Sequence, residues 1–244
     1  MSRKLLTASI LAAFISWPSF CSPANTDSGL VDVTGEVRLI QSNSLRPAKD
    51  ASEVVVWLVP LQGAEETSAA SASAKHHYRV LQHNKTFEPN LLVVPLGSIV
   101  DFPNQDPWFH NVFSLYRGKR FDLGLYQAGS EKEVVFDRPG PSFLFCNIHP
   151  QMTAVILTVN SDFFGISDKA GRILIPHVPA GRYAMHAWYE SAASGFTDVS
   201  QPTIDIGPGE NVLPVLSIPV AKHDWSHKDK YGNDYDPKAS VPAY

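Results

Sequence analysis

Apolar residues along this chain fall in short runs broken by Gly, Pro, Asp and Asn, and outside the extreme N-terminus no stretch sustains a helical period. Val33 to Ile40 and Val54 to Pro60 read as strands, joined by a turn-rich stretch containing Pro47. Ala64 to Ala74 is almost wholly Ala, Ser, Glu and Thr and predicts a flexible linker. A dense run of strand signals follows: Tyr78 to Gln82, Leu91 to Pro95, Ile99 to Phe102, Val134 to Phe136, Phe143 to Cys146 and Ala154 to Val159. A third group comprises Arg172 to Ile175, Arg182 to Tyr189, Thr203 to Ile206 and Val212 to Ile218, punctuated by turns at Ser167–Gly171, Val178–Gly181 and Gly207–Gly209. Short strands with such turns predict an all-β chain built of sandwiches rather than βαβ units. From Lys222 to Tyr244 the pattern lapses into a polar tail.

The 19 Pro and 15 Gly among 244 residues agree with that reading. The N-terminus stands apart: Arg3 and Lys4 precede an apolar stretch, Leu5 to Ile15, too short to span a bilayer. Small residues at Ser22-Pro23-Ala24 predict an export signal over 1–24, with cleavage after Cys21, a lipoprotein and an uncleaved membrane anchor as the alternatives. Removing it shifts the formal charge from −4 to −6, because residues 1–24 hold two bases and no acid. A mildly acidic exported protein without a basic patch points away from nucleic acid, and no stable membrane insertion is expected after cleavage. Of two cysteines, Cys21 leaves with the signal and Cys146 remains alone. A lone thiol in an oxidising compartment is either a buried inert group or a metal ligand.

The neighbours of Cys146 favour a metal. Phe145-Cys146-Asn147-Ile148-His149-Pro150-Gln151-Met152 offers thiolate, imidazole and thioether in one loop between two predicted strands. His110 supplies a second imidazole upstream. Two imidazoles, one thiolate and a weak axial thioether are the donor set of a blue-copper site. Catalytic zinc would want an open position, and structural zinc generally more than one thiolate. The other histidines form no comparable set. His76, His77 and His83 are scattered, His177 and His186 lie on strands, and His223 and His227 sit in the tail.

These residues carry a resemblance. Leu91 to Val159, with Phe87-Glu88-Pro89, Gly97 to Asn104, His110-Asn111-Val112 and the Cys146–Met152 loop, resembles the cupredoxin family, with a ligand loop most like those of amicyanin and plastocyanin type. The resemblance implies a Greek-key sandwich over 77–160 holding one copper through His110, Cys146, His149 and Met152. It also implies that Asn111 ties the first ligand loop to the cysteine loop by hydrogen bonds, with Phe109 backing the ligands beside it. It makes His149 the solvent-edge ligand, rimmed by Pro107, Trp108 and Pro150, although Trp108 and Phe109 serve equally well as core residues on pattern alone.

Val33-Thr34-Gly35-Glu36-Val37 and Val54 to Leu58, with Ser167 to Arg172 and Val178 to Tyr183, resemble a carboxypeptidase regulatory-like, transthyretin-like sandwich. Its parts, 30–62 and 163–220, then form a second, discontinuous module, the rival reading being that 30–62 extends the cupredoxin segment itself. The cupredoxin segment stands between them after a linker at 63–76, and 221–244 trails as the tail. The combination resembles exported proteins of methylamine-utilisation type. The implied function is periplasmic or secreted one-electron transfer without catalysis, the partner being a cytochrome or a periplasmic dehydrogenase. Copper delivery or sequestration, and a structural cell-surface module with a stabilising metal, are the competing readings. No His-x-His pair for a trinuclear copper cluster occurs.

Overall fold

The computed structural model describes residues 29–41, 46–61, 76–115, 117–193, 199–221 and 227–235. The predicted export signal, and the linker apart from His76, lie outside them. Among the described residues all regular elements are strands. None forms a helix long and apolar enough to cross a membrane. In chain order they are β1 (Leu30–Gln41), β2 (Val55–Pro60), β3 (His77–Arg79), β4 (Leu81–His83), β5 (Thr86–Glu88) and β6 (Leu91–Pro95). Then come β7 (Ile99–Pro103), β8 (His110–Ser114), β9 (Phe121–Tyr126), β10 (Glu131–Val135), β11 (Gly140–Cys146) and β12 (Thr153–Val159). The last are β13 (Phe164–Ile166), β14 (Arg172–Pro179), β15 (Gly181–Trp188), β16 (Val199–Ile206), β17 (Asn211–Val212) and β18 (Leu216–Val220).

The middle of the chain forms a five-stranded sheet, β6-β12-β11-β8-β9, and a three-stranded sheet, β10-β7-β3. Val94, Val112, Leu144, Cys146 and Ile156 of the first pack with Val100, Phe102 and Val134 of the second in one buried core. The chain ends build another pair of sheets. In one, β1 pairs with β14, β17 and β18; in the other the order is β13-β2-β15-β16. Val33, Val37, Leu39, Val56, Leu58, Ile175, Tyr183, Met185 and Ile218 fill the space between them. β2 therefore pairs with strands more than a hundred residues away: Met185 lies opposite Leu58, and Phe164 opposite Trp57.

The apolar runs at Val54–Leu58 and Ala154–Val159 have a common cause. Successive side chains of a strand point to opposite faces. Val54, Val56 and Leu58 enter the core between the terminal sheets. Val55 and Trp57 face the other way and meet Val93, Phe143, Val155, Leu157, Val159 and Trp188. Ala154 and Ile156 point from β12 into the central core. Both strands are buried on both faces, so neither shows polar alternation. The two sandwiches meet through this shared apolar layer.

Some predicted strands divide. Tyr78–Gln82 becomes β3 and β4 in different sheets, because the chain turns over at buried Val80, whose N–H donates to the Asp101 carbonyl at 2.9 Å. Val212–Ile218 splits at Pro214, which cannot continue a ladder. β8 and β9, which carry much of the site, were not assigned from the sequence. Their apolar content is diluted by Asn111, Asp122 and Gly124.

Candidate metal centre

Cys146 closes β11 and pairs across the sheet with Val112 of β8, so His110, at the start of β8, comes beside it. After Cys146 the chain folds straight back. The Met152 N–H donates to the His149 carbonyl at 3.0 Å, and the Cys146 N–H to the Met152 carbonyl at 3.2 Å. This tight loop turns His149 inward. The two Nδ1 atoms are 3.1 Å apart, and the Cys146 sulfur lies 3.8 Å from that of His110 and 3.6 Å from that of His149. All three residues are buried, and among the described residues no other His, Cys, Asp and Glu group converges in this way. Met152 is wholly buried in the same core cluster as Cys146.

Asp106 accepts from His110 Nε2 at 2.8 Å, which places the ring proton on Nε2 and leaves Nδ1 as a lone pair facing the other donors. The Asp106 carboxylate is itself held by the backbone N–H groups of Asn84 and Lys85, at 2.6 and 2.8 Å. Those two residues form the left-handed turn between β4 and β5, with φ of 52° and 57°. Burial opposes ionisation of Asp106, but these bonds and His110 outweigh it and hold the carboxyl below its ordinary range.

Burial pushes both imidazoles towards the neutral form. For His110 it outweighs the opposing pull of Asp106. For His149, burial, then the nearby His110 and Lys85, bring the pKa down to about 4. Burial also raises the Cys146 thiol, an effect partly offset by the backbone N–H groups of Asn111, Ile148 and His149 that face the sulfur. The pocket thus presents two neutral imidazoles, His110 with its Nδ1 lone pair turned inward, and one thiol whose sulfur faces three backbone amides. Donors that share one ion at roughly 2.0–2.3 Å lie about 3.3–3.7 Å apart; the observed edges of 3.1, 3.6 and 3.8 Å span that range, the nitrogen–nitrogen edge being the shortest. The chemistry and spacing of these residues fit one soft or borderline metal ion.

Three expectations need correction. Asn111 does not reach the cysteine loop through its side chain. Its Nδ2 donates to Asp122 at 2.7 Å, and its backbone N–H is the group facing the sulfur. Phe109 does not back the ligands: it immediately precedes inward-facing His110, points to the opposite side and is 48% exposed. His149 is not open to solvent but 3% exposed, on a loop that folds straight back through the Met152–His149 backbone bond. Of the expected rim, Pro107 and Trp108 are exposed, with Lys85 Nζ 4.7 Å above the Trp108 ring, and Pro150 is half-buried.

Sequence reasoning also missed Asp106, which carries no motif and acts only through the fold. It missed His227 as well. That ring packs at a tilt of 32° against Phe145 with centroids 4.2 Å apart, and its Nε2 donates to the Pro150 carbonyl at 2.8 Å. Residues 227–235 are therefore not a trailing tail but are packed on the ligand loop, whereas His223 lies outside the described residues. His186 stacks on Trp57 at 5.2 Å, away from the donors.

No protein-family model and no curated protein sequence matches this chain. Parts of it are similar to solved structures. A copper-containing nitrite reductase from Thermus scotoductus SA-01 is 23% identical, with a TM-score of 0.33 over 34% of this chain and only 22% of that one. A purple cupredoxin from Nitrosopumilus maritimus is 22% identical, with a TM-score of 0.30 over 33% of this chain and 98% of its own. A variant of amicyanin in its Cu(I) state is 18% identical, with a TM-score of 0.33 over 37% and 89%.

Proposed function

We propose that this chain is an exported, mononuclear type 1 copper protein that carries single electrons between redox partners and performs no catalysis of its own. The observation that carries the proposal is the buried triangle of His110 Nδ1, His149 Nδ1 and Cys146 Sγ. Met152, wholly buried in the same core cluster as Cys146, would supply the fourth donor. In this reading residues 77–160 form a cupredoxin-like domain set between 30–62 and 163–220 of a second module. The partner is a periplasmic or secreted cytochrome or dehydrogenase.

Bound copper would supply a one-electron couple. The chain supplies a rigid, dry cage. Three amides face the sulfur, Asp106 fixes the His110 tautomer, and two neutral rings need shed no proton before binding. A cage of this kind limits movement of the donors when the metal changes charge, which keeps the transfer barrier low. The same burial argues against copper delivery, which works best with donors that exchange readily at the surface. Metal analysis and a visible spectrum of the oxidised protein test the reading. One copper per chain with an intense thiolate-to-copper band is expected, whereas two coppers, or zinc with no coloured copper form, overturn it.

Two variants probe the surroundings. Asp106→Asn removes the carboxylate that orients His110 and anchors the Asn84–Lys85 turn. It is expected to weaken copper binding by about 10–100-fold, as read by chelator competition. Pro107, Trp108 and Phe109 form an exposed apolar stretch immediately before His110 and are the proposed docking rim, where apolar contact permits a brief encounter without desolvating charge. Trp108→Asp is expected to slow electron exchange with the partner while leaving the visible band in place. Unchanged rates under transfer-limited conditions would move the docking face elsewhere.

A further inference from the structure

The loop from Asn147 to Gln151 belongs to no strand, and its own two backbone bonds tie only its inner ends. Its outer side is held by residues 227–235. The Tyr235 hydroxyl donates to the Cys146 carbonyl at 2.9 Å and lies 3.3 Å from His227 Nδ1. His227 Nε2 donates to the Pro150 carbonyl, and the Lys230 backbone N–H to Asn147 Oδ1 at 3.0 Å. These contacts take the carbonyls of Cys146 and Pro150, one on each side of His149. A fourth tie reaches the opposite flank of the site. Lys230 Nζ pairs at 2.8 Å with Asp122, the carboxylate that also accepts from Asn111.

The segment is shaped for this task without help from the loop. The Asp229 carboxylate accepts from the backbone N–H groups of Tyr231 and Asn233 at 2.9 and 2.8 Å, and Gly232 takes a φ of +84° that favours glycine. The resulting closed turn presents Lys230 on one side, with His227 and Tyr235, their rings 5.2 Å apart, flanking it. A preorganised turn loses little further freedom when it docks.

We propose that His227–Tyr235 is a strap whose docking and copper binding reinforce each other, with Tyr235 and His227 acting as positioning residues through the backbone of the ligand loop. The proposal rests on the copper reading of the site. When the strap is docked, the Cys146–His149 loop is held in the geometry that brings its donors to His110. When it is open, that loop must be ordered by the metal alone. Coupling of this kind is reciprocal: whatever factor the docked strap adds to copper affinity, copper adds to strap closure.

The test uses the full chain and two variants, Tyr235→Phe, which deletes only the hydroxyl, and His227→Ala combined with Tyr235→Phe. Copper affinity is read by chelator competition, the thiolate-to-copper band by its energy, and strap opening by amide hydrogen exchange with and without copper. One hydrogen bond of ordinary net strength corresponds to about a five-fold loss of affinity and two to about twenty-five-fold. Those losses, a shifted band and slower exchange across 229–235 on copper loading are expected, with the metal-free melting temperature little changed. If the full chain takes up copper but the variants keep its affinity and band, and copper leaves strap exchange unaltered, the segment is a passive cover and the proposal is overturned while the copper reading stands. An affinity loss matched by an equal loss of metal-free stability overturns it too. If the full chain takes up no copper at all, the copper reading fails first and the strap proposal with it.

Discussion

Cys146→Ser is expected to abolish the intense visible absorption of the copper-loaded protein and to end electron transfer, while leaving the metal-free fold intact. The sulfur is fully buried between the sheets, and three backbone amides face it. A serine oxygen is nearly isosteric but is a harder donor and far harder to deprotonate. The site would keep two imidazoles and the thioether but lose the thiolate, the anionic soft donor that gives the colour. The loss of copper affinity should exceed the roughly 10–100-fold expected for removal of an outer partner such as Asp106. Chelator competition and the visible spectrum measure both effects. Retention of the intense band in the serine variant would remove Cys146 from the site.

The second large effect is expected from a residue outside the metal-bearing sandwich. Trp57 lies on β2, is 7% exposed and belongs to the apolar layer shared with Phe143, Val155, Leu157 and Trp188. Its indole N–H also points to Asn160 Oδ1, 3.3 Å away, where the chain passes from β12 towards β13. Trp57→Ala would empty a large volume between two rigid sheets and is expected to cost about 3–5 kcal/mol. Because both sandwiches contribute to that layer, the loss should appear in the unfolding of both. Denaturant unfolding of the metal-free protein, followed by circular dichroism and by amide exchange of β11 and β15, would show one common shift in midpoint. If β15 alone shifts while β11 keeps its protection, the sandwiches are energetically independent.

The strand-rich character and the cysteine loop were legible because both are local. Turn residues punctuate the chain at strand spacing, and Cys146, His149 and Met152 fall within seven consecutive positions. His110 was legible by its chemistry but not its position. Nothing between residues 110 and 146 states that β8 and β11 pair, and β8 itself has too little apolar contrast to announce a strand. The directions of its neighbours followed from the pleat: with His110 inward, Phe109 had to face outward, and only the backbone of Asn111 was left to address the sulfur.

By itself the sequence determined the donor types, their order along the chain and the alternation that buries one face of each strand, all of them properties of neighbouring residues. Tertiary structure decided which elements meet. It brought Asp106 onto His110, buried His149, covered both faces of β2 and β12, and laid His227 and Tyr235 on the ligand loop. These contacts join residues far apart in the chain, and each is made by a side chain common enough elsewhere to carry no signal. Their meaning depends on loop closure and sheet packing, which local pattern does not encode.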